Sequence, residues 1–220
     1  MSVYSQFQSS IAAADQLVSM YGELRRHRGL GARGRLDADN TDLLWLPRSA
    51  VVACLSALDS YVHAVLYDRI PTVMRQNSVP GPLCDMLASV MPVKNGTSFH
   101  NALPLLRSQD SVAELGSRLK EERLSFLSYQ APEKIIVAYE LIGYPAIFDD
   151  VADIWPGPRT SSDDIRRTLA NYVKRRNQIA HEGDREAGGE PRPMQPKYAN
   201  DCREFTGSLV SKLNRVVYDI

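Results

Sequence analysis

The residues best suited to chemistry lie in one short string, RRNQIAHEGD, at positions 175–184. An imidazole has an ordinary pKa of about 6.5, so His181 can accept or release a proton near neutral pH. The guanidinium of Arg176 stays charged and presents planar N–H donors that suit a phosphate group. Asn177 can orient the imidazole or donate to a phosphate oxygen. Together these residue types indicate acid–base chemistry on a phosphate.

One helix is predicted to carry these residues, opening at Ser161-Ser162-Asp163-Asp164 and stopping at Gly183. Ser at the cap and acids in the first turn suit the positive end of a helix. On a wheel of about 100° per residue, Arg176 lies within the apolar arc. His181 lies about 140° away, on a polar face shared with Asn177 and Lys174. Either the helix loosens before Gly183, or a two-fold dimer brings two such helices to one cleft.

Arg176 and His181 each have two interpretations. A buried guanidinium needs a partner, so Arg176 either forms a structural salt bridge to an acid on a neighbouring helix or holds a phosphate in a groove. Asp59 is a candidate for that acid. His181 is either a simple C-terminal cap, which the helix dipole favours in its charged form, or an acid–base residue.

Two other groups of polar residues are also open to interpretation. Asp59 and His63 are four residues apart on one helix and form either a surface ion pair or part of a cleft that contacts Arg176 or RNA. Lys174 is either an ordinary surface lysine or a phosphate contact. The densest basic run either steers RNA electrostatically or is a solvated, mobile loop; it comprises Arg25, Arg26, His27, Arg28, Arg33 and Arg35.

Composition sets outer limits on the class of protein. The chain has 220 residues, 44% hydrophobic and 24% charged, and its formal net charge is zero. It is too long for a disulfide-stapled mini-protein, and its global charge does not identify a nucleic-acid binder. The three cysteines show no C-x-x-C spacing, which predicts reduced thiols. With no secretory signal, membrane span or metal cluster recognised, we expect a cytoplasmic protein that needs no metal and no cofactor.

The hydrophobic periodicity is helical nearly throughout, and no convincing strand pattern is present, so we predict an all-α fold. Long helices are expected at residues 5–28 and 47–70, at the motif helix and at the C-terminus. Prolines divide the middle of the chain, where short helices are expected near 82–90, 98–107, 110–121, 132–141 and 146–154.

We expect a single domain made of several sections. Residues 1–40 form an N-terminal helix with an Arg/Gly-rich loop, and residues 41–71 and 161–220 form the core of a bundle. Residues 72–160 form an inserted helical section, and residues 183–197 form a flexible Gly/Pro-rich linker.

The string R-N-x-x-x-H formed by Arg176, Asn177 and His181 resembles the signature of HEPN-domain ribonucleases. The segments CLSALDSYVHAVLYDRI (54–70), QAPEKIIVAYELIG (130–143) and RRNQIAHEGD (175–184) are similar to its RiboL-PSP-HEPN-like branch. The order of the elements also matches, and the resemblance covers roughly residues 45 to 220.

The resemblance implies a HEPN-like helical bundle that acts as a homodimer and cleaves RNA without a metal, as a toxin or an antiphage defence effector. By position, Arg176, Asn177 and His181 would form the active site. Arg175 fits the looser spacing of the signature and joins Lys174, Asp59 and His63 as a possible substrate contact. The implied partners are an RNA substrate, a second copy of the chain and an antitoxin or defence-system protein.

The expected reaction is attack of the RNA 2′-OH on the adjacent phosphate, with His181 as base or acid and Arg176 stabilising the phosphoryl oxygens. A dimer would supply one imidazole for each role. The alternative is a non-catalytic helical module that binds RNA or a protein and keeps the RNxxxH stretch for structural reasons.

Overall fold

The prediction of an all-α protein is confirmed by a computed structural model that describes residues 1–31, 36–91, 93, 95–157 and 160–219. Within these residues the regular structure is helical, apart from one isolated β-bridge between Arg185 and Pro191. The α-helices are α1 (Val3–His27), α2 (Trp45–Val73), α3 (Gly81–Val90), α4 (Leu103–Arg107), α5 (Ser111–Glu122), α6 (Pro132–Glu140), α7 (Ile147–Asp153), α8 (Ser162–His181) and α9 (Pro196–Tyr218). Short 3-10 helices occupy Ala38–Leu44, Thr97–Asn101 and Leu124–Phe126.

Prolines place the starts of several helices in the middle of the chain. α3, α4 and α6 each have a proline in the first turn, where the missing N–H would have no intrahelical partner. The helix predicted at 98–107 is instead a 3-10 turn followed by α4. Pro104 lies at the start of α4, which explains why the regular helix begins there.

Helix α2 is longer than predicted. It runs from Trp45 to Val73 and includes Pro71, which was expected to end it. Because Pro71 lies in the last turn, its ring removes few of the helical hydrogen bonds, and Met74 N–H still donates to the Ile70 carbonyl at 2.9 Å. Apolar side chains along this helix, including Val51, Leu55 and Leu58, are fully buried.

The chain divides into two compact units, the first made of Met1–Tyr61 and Phe148–Ile220. In this unit α1 packs against α9, and the ring of Phe7 meets Tyr61 edge to face at 5.8 Å. Asp15 of α1 pairs with Arg203 of α9 at 2.7 Å. Buried apolar side chains fill its interior, among them Ala50, Val51, Cys54, Leu55, Ile165, Leu169, Cys202, Leu209 and Leu213.

The second unit is Val62–Ile147. It takes in the second half of α2 as well as α3 to α6, so it begins earlier than the inserted section expected at 72–160. His63 accounts for part of this difference, because its ring contacts Tyr129 edge to face at 4.8 Å. The interior of the unit includes Val65, Leu66, Leu83, Leu119, Leu124, Ile135 and Tyr139.

One stretch, Ala38–Val73, is long and apolar enough to cross a membrane by length and composition. Of its most apolar window, 56% is buried inside the protein. Burial of this kind is what the core helix of a globular protein shows, since such helices are apolar around most of their circumference.

Candidate active site

Helix α8 carries the motif and is anchored at its start and along one face. Ser161 and Asp164 form a reciprocal capping box: the Ser161 hydroxyl accepts from the Asp164 N–H at 3.1 Å, and the Asp164 carboxylate accepts from the Ser161 N–H. Ile165, Leu169 and Ile179 are buried. The helix continues to His181, so these contacts place residues 176, 177 and 181 on its last turns.

Within a single chain, the structure brings Arg176, Asn177 and His181 together. Arg176 Nη1 donates to Asn177 Oδ1 at 3.2 Å, and the same nitrogen lies 3.4 Å from His181 Nε2. Asn177 and His181 are exposed, while Arg176 is half-buried. The motif is therefore one contiguous polar cluster at the C-terminal end of α8.

The expected separation of Arg176 and His181 is corrected by this geometry. The helix does not loosen before Gly183, because Glu182 N–H still donates to the Gln178 carbonyl at 3.1 Å. Asn177 lies between the two on the wheel, and the flexible arginine side chain follows the helix surface past it. The reach of the side chain, rather than a second subunit, brings guanidinium and imidazole into contact.

A hydrogen bond between Arg176 and His181 requires one particular tautomer of the imidazole. A guanidinium only donates hydrogen bonds, so His181 Nε2 must accept, with its lone pair directed at Arg176. The contact is therefore a hydrogen bond only in the tautomer that carries its proton on Nδ1. Nε2 can remove a proton from a substrate hydroxyl only when Arg176 turns this donor away, for example toward an anion.

Arg176 keeps donors available for an anion. Among the residues that the structure describes, its contacts are with Asn177 and His181, and none is a carboxylate. Its buried Nε has no hydrogen-bond partner there. Arg176 therefore does not form the salt bridge to Asp59 that was one of its two interpretations. Its guanidinium still has donors with which it could bind a phosphate, as the other interpretation requires.

The structural arginine is the neighbouring one, Arg175. Its guanidinium meets the carboxylate of Asp184, with Nη1 at 2.9 Å from Oδ1 and Nη2 at 2.9 Å from Oδ2. Nη2 also donates to the Pro193 carbonyl at 2.8 Å. Arg175 was a candidate substrate contact, but these bonds place its charged end in an internal network.

Arg48, near the start of α2, completes that network. Its Nε donates to Asp184 Oδ2, and its Nη2 donates to the Arg192 carbonyl at 2.7 Å. Arg48 and Asp184 are both buried. Asp184 is the last residue of the RRNQIAHEGD string, but neither it nor Arg48 was given a role from the sequence, because a contact between positions 136 apart leaves no local pattern.

The segment at 183–197 was expected to be a flexible linker, and the structure shows specific contacts in it. Arg192 N–H donates to the Asp184 carbonyl at 2.7 Å, and Glu186 N–H donates to the Glu190 carbonyl at 2.8 Å. The Arg192 side chain pairs with Glu186 at 3.1 Å. The segment folds back on itself beside the end of α8.

Lys174 shares the exposed face of α8 with Asn177 and His181, as predicted. No carboxylate lies within ion-pair distance of Lys174 among the described residues. Its ammonium group lies two turns before His181 and is exposed to solvent.

Asp59 and His63 lie on α2, Asp59 in the first unit and His63 in the second. The imidazole of His63 has both nitrogens engaged, with Nδ1 at 3.2 Å from the Tyr67 hydroxyl and Nε2 at 3.1 Å from the Leu127 carbonyl. These contacts leave neither nitrogen for the predicted ion pair with Asp59. His63 therefore has a structural role in its own unit.

The basic run near the end of α1 is only partly described, because residues 32–35, including Arg33 and Arg35, lie outside the described residues. Arg25 is buried and donates to the Tyr21 hydroxyl at 3.0 Å. Arg28 pairs with Asp42 at 2.7 Å, and the pKa of that carboxyl is lowered by the hydrogen bonds from Arg28. Arg25 and Arg28 thus have internal partners.

Other ionisable groups of the first unit remain protonated by burial. Burial raises the pKa of Tyr172, and it raises the pKa of Tyr198 to about 12. The pKa of the Cys202 thiol is raised by its hydrogen bond with Cys54 and by burial. These groups act as packing residues at neutral pH.

Within the described residues, no three His, Cys, Asp or Glu side chains converge as metal ligands.

Comparisons of the chain with protein-family models, with curated proteins and with solved structures give no significant match. Functional assignment therefore rests on the residues and their geometry.

Proposed function

We propose that the protein is a HEPN-type endoribonuclease that cleaves RNA by transphosphorylation from the 2′-OH and needs no metal. The observation that carries this proposal is the 3.4 Å contact between Arg176 Nη1 and His181 Nε2 at an exposed helix end. Attack on a phosphodiester needs a base that takes a proton from the attacking hydroxyl and a cation that stabilises the phosphoryl oxygens. The imidazole of His181 and the guanidinium of Arg176 have these two properties.

In the proposed reaction His181 Nε2 takes the proton of the ribose 2′-OH. The 2′-oxygen then attacks phosphorus, the bond to the 5′-oxygen breaks, and that oxygen leaves with a proton. The products are a 2′,3′-cyclic phosphate and a 5′-hydroxyl. Arg176 turns its donors to the phosphoryl oxygens as their negative charge grows, and Asn177 orients Arg176 through its Oδ1.

The leaving oxygen needs a proton donor, and the imidazole that takes a proton from the 2′-OH cannot give one to the 5′-oxygen at the same moment. We propose that a homodimer supplies His181 of a second copy for this role, as the resemblance to the HEPN family implies. A toxin or antiphage effector in the cytoplasm, with an antitoxin or defence-system partner, is the proposed biological setting.

The test is cleavage of single-stranded RNA by the purified full-length protein in EDTA. We expect cyclic-phosphate ends and a loss of about 10²–10⁴-fold in rate for His181→Ala, the range that acid–base catalysis contributes. His100→Ala is the matched control, since His100 is also exposed but lies in the second unit. If wild type leaves varied RNAs intact, or His181→Ala cleaves as well as wild type, the proposal is wrong.

The alternative is a non-catalytic module that binds RNA or a protein. The buried network of Arg175 with Asp184 favours it to a degree, because it gives part of the RRNQIAHEGD string a structural purpose. Binding of RNA by wild type without any cleavage, unchanged in His181→Ala, would support the module.

A further inference from the structure

One buried carboxylate joins three parts of the chain next to the motif. Asp184 is only 1% exposed and contacts the guanidinium groups of Arg48 and Arg175. Arg175 also holds the Pro193 carbonyl, and Arg48 holds the Arg192 carbonyl. We call Arg48, Arg175 and Asp184 the clamp, because their side chains tie the segment after α8 to both α8 and α2.

The clamp encloses the catalytic motif along the chain. Arg175 immediately precedes Arg176, and Asp184 follows His181 by three residues. The backbone between them turns through Gly183 (φ 62°) and Asp184 (φ 53°), and the Asp184 N–H donates to the Gln178 carbonyl at 2.9 Å. Asp is among the few residues that tolerate this left-handed conformation. The end of α8 is thus closed by a side-chain bridge from residue 175 to residue 184.

Such a bridge matters for His181 because it is the last residue of the helix. Helix ends fray, and a residue in the last turn readily leaves the helical conformation. The 3.4 Å contact with Arg176 is made with residue 181 in the helix, so fraying of the last turn would move the imidazole away from Arg176. The bridge from Arg175 to Asp184 is in the position that opposes fraying.

We propose that Asp184 and Arg175 are positioning residues that hold His181 Nε2 against Arg176, with Arg48 fixing Asp184 from α2. The effect of this bridge on RNA cleavage rests on the proposed ribonuclease function. Its effect on the stability of the helix end does not. Arg175 acts here through Asp184 and not by binding RNA. Its side chain is only 15% exposed. Nη2 donates to Asp184 Oδ2 and to the Pro193 carbonyl, and Nη1 lies within ion-pair distance of Asp184 Oδ1.

Arg175→Gln is the principal test variant, because Asp184 keeps its partner Arg48 and the fold is preserved. Asp184→Asn is the second variant, since Asn also tolerates the left-handed backbone. Arg175→Lys keeps the charge but not the paired bonds, so it should rescue part of the effect. Asp15→Asn is the control, because it removes a different arginine–carboxylate contact, that of Arg203 in the same unit.

Two measurements are made on each full-length variant: single-turnover cleavage of an RNA oligonucleotide over a range of concentrations, and hydrogen exchange of the backbone amides. We expect Arg175→Gln and Asp184→Asn to lower the saturated rate by about 10- to 100-fold with little change in KM. The amides of Glu182 and Asp184 should exchange at least about tenfold faster, while those of α1 do not change. Asp15→Asn should behave as wild type at the end of α8.

The outcomes separate this inference from the proposed function. If wild type cuts RNA and both clamp variants match its rate and exchange, the positioning role is wrong and the nuclease stands. A raised KM with an unchanged saturated rate in Arg175→Gln alone would make Arg175 an RNA contact and overturn the inference. If wild type cuts no RNA but the amides near 182 exchange faster, the nuclease is wrong and the clamp stands. Should Asp184→Asn not fold, Arg175→Gln decides the question.

Discussion

The two ends of helix α8 use the same residue types in different ways. At its start, Arg166 and Arg167 contact Asp163 and Asp164, three residues earlier on the same helix. Each of these side chains is between 43% and 77% exposed. Such contacts are ordinary surface ion pairs, which contribute little to stability and leave no charge unbalanced.

At the other end of α8, adjacent arginines have different surroundings. Arg175 meets a buried carboxylate that lies beyond the helix, at Asp184. Arg176 meets an amide and an imidazole, and no carboxylate among the described residues. An arginine stays available to bind an anion where neighbouring side chains contact it but no carboxylate pairs with it, as at Arg176.

The first prediction sharpens the contrast between buried and exposed carboxylates. Asp184→Ala should lower the free energy of unfolding by about 3–5 kcal/mol, because the buried guanidinium of Arg48 and the partly buried one of Arg175 lose the carboxylate they share. Asp163→Ala should cost less than about 1 kcal/mol. Urea denaturation of both variants measures the difference, and equal losses would contradict the assignment of Asp184 to the interior. Asp184→Asn should lose less than Asp184→Ala, since its amide oxygen still accepts a hydrogen bond.

The second prediction concerns Arg176 and its counterpart at the start of the helix. Arg176→Gln should lower RNA cleavage by about 10²–10³-fold, the usual effect of removing one group that stabilises transition-state charge. Its urea midpoint should change little, since the side chain forms no ion pair within the described residues. Arg167→Gln is the matched control and should cleave as wild type. Similar losses in the two variants would mean that α8 contributes only general positive charge.

The third prediction addresses the capping box and has the smallest expected effect. Hydrogen bonds from Ser161 lower the pKa of Asp164 below its ordinary value. The stability from this shift is therefore complete above the unfolded pKa of about 3.9 and is lost as pH falls through the lower folded pKa. Ser161→Ala should lower the urea midpoint by about 0.5 M at pH 7.

The difference between Ser161→Ala and wild type should shrink when the urea midpoints are measured near pH 3. A difference that is constant with pH would show that the hydroxyl cap acts without the carboxylate. RNA cleavage at neutral pH should be the same in both proteins, because the cap lies at the far end of α8 from the motif.

Local signals were sufficient for much of the fold. Ser161 and Asp164 predicted the start of α8, Gly183 its end, and prolines the starts of α3 and α6, because caps and ring constraints act within a few residues. The start of α4 was predicted too early, at residue 98. Pro71 misled the prediction for α2, since the cost of a proline depends on how near the helix end it lies.

For the site, residue types and spacing singled out Arg176, Asn177 and His181, but the helical wheel placed the first and last too far apart. A wheel projects Cβ directions and ignores the length of a side chain, so the contact at 3.4 Å was not foreseen. The ion pair of His63 with Asp59 was wrong for a similar reason. Asp59 is near His63 along the helix, but the two imidazole nitrogens of His63 contact the Tyr67 hydroxyl and the Leu127 carbonyl instead.

The amino-acid order alone determined that the chain is helical, where α8 starts and ends, and which three residues have the chemistry to act on a phosphate. Each of these depends on interactions within about one helical turn. Only the tertiary structure decided that Arg175 is held internally while Arg176 is not. That choice depends on Asp184 and Arg48, which come together across 136 positions, and burial in the folded protein makes their contact strong enough to matter.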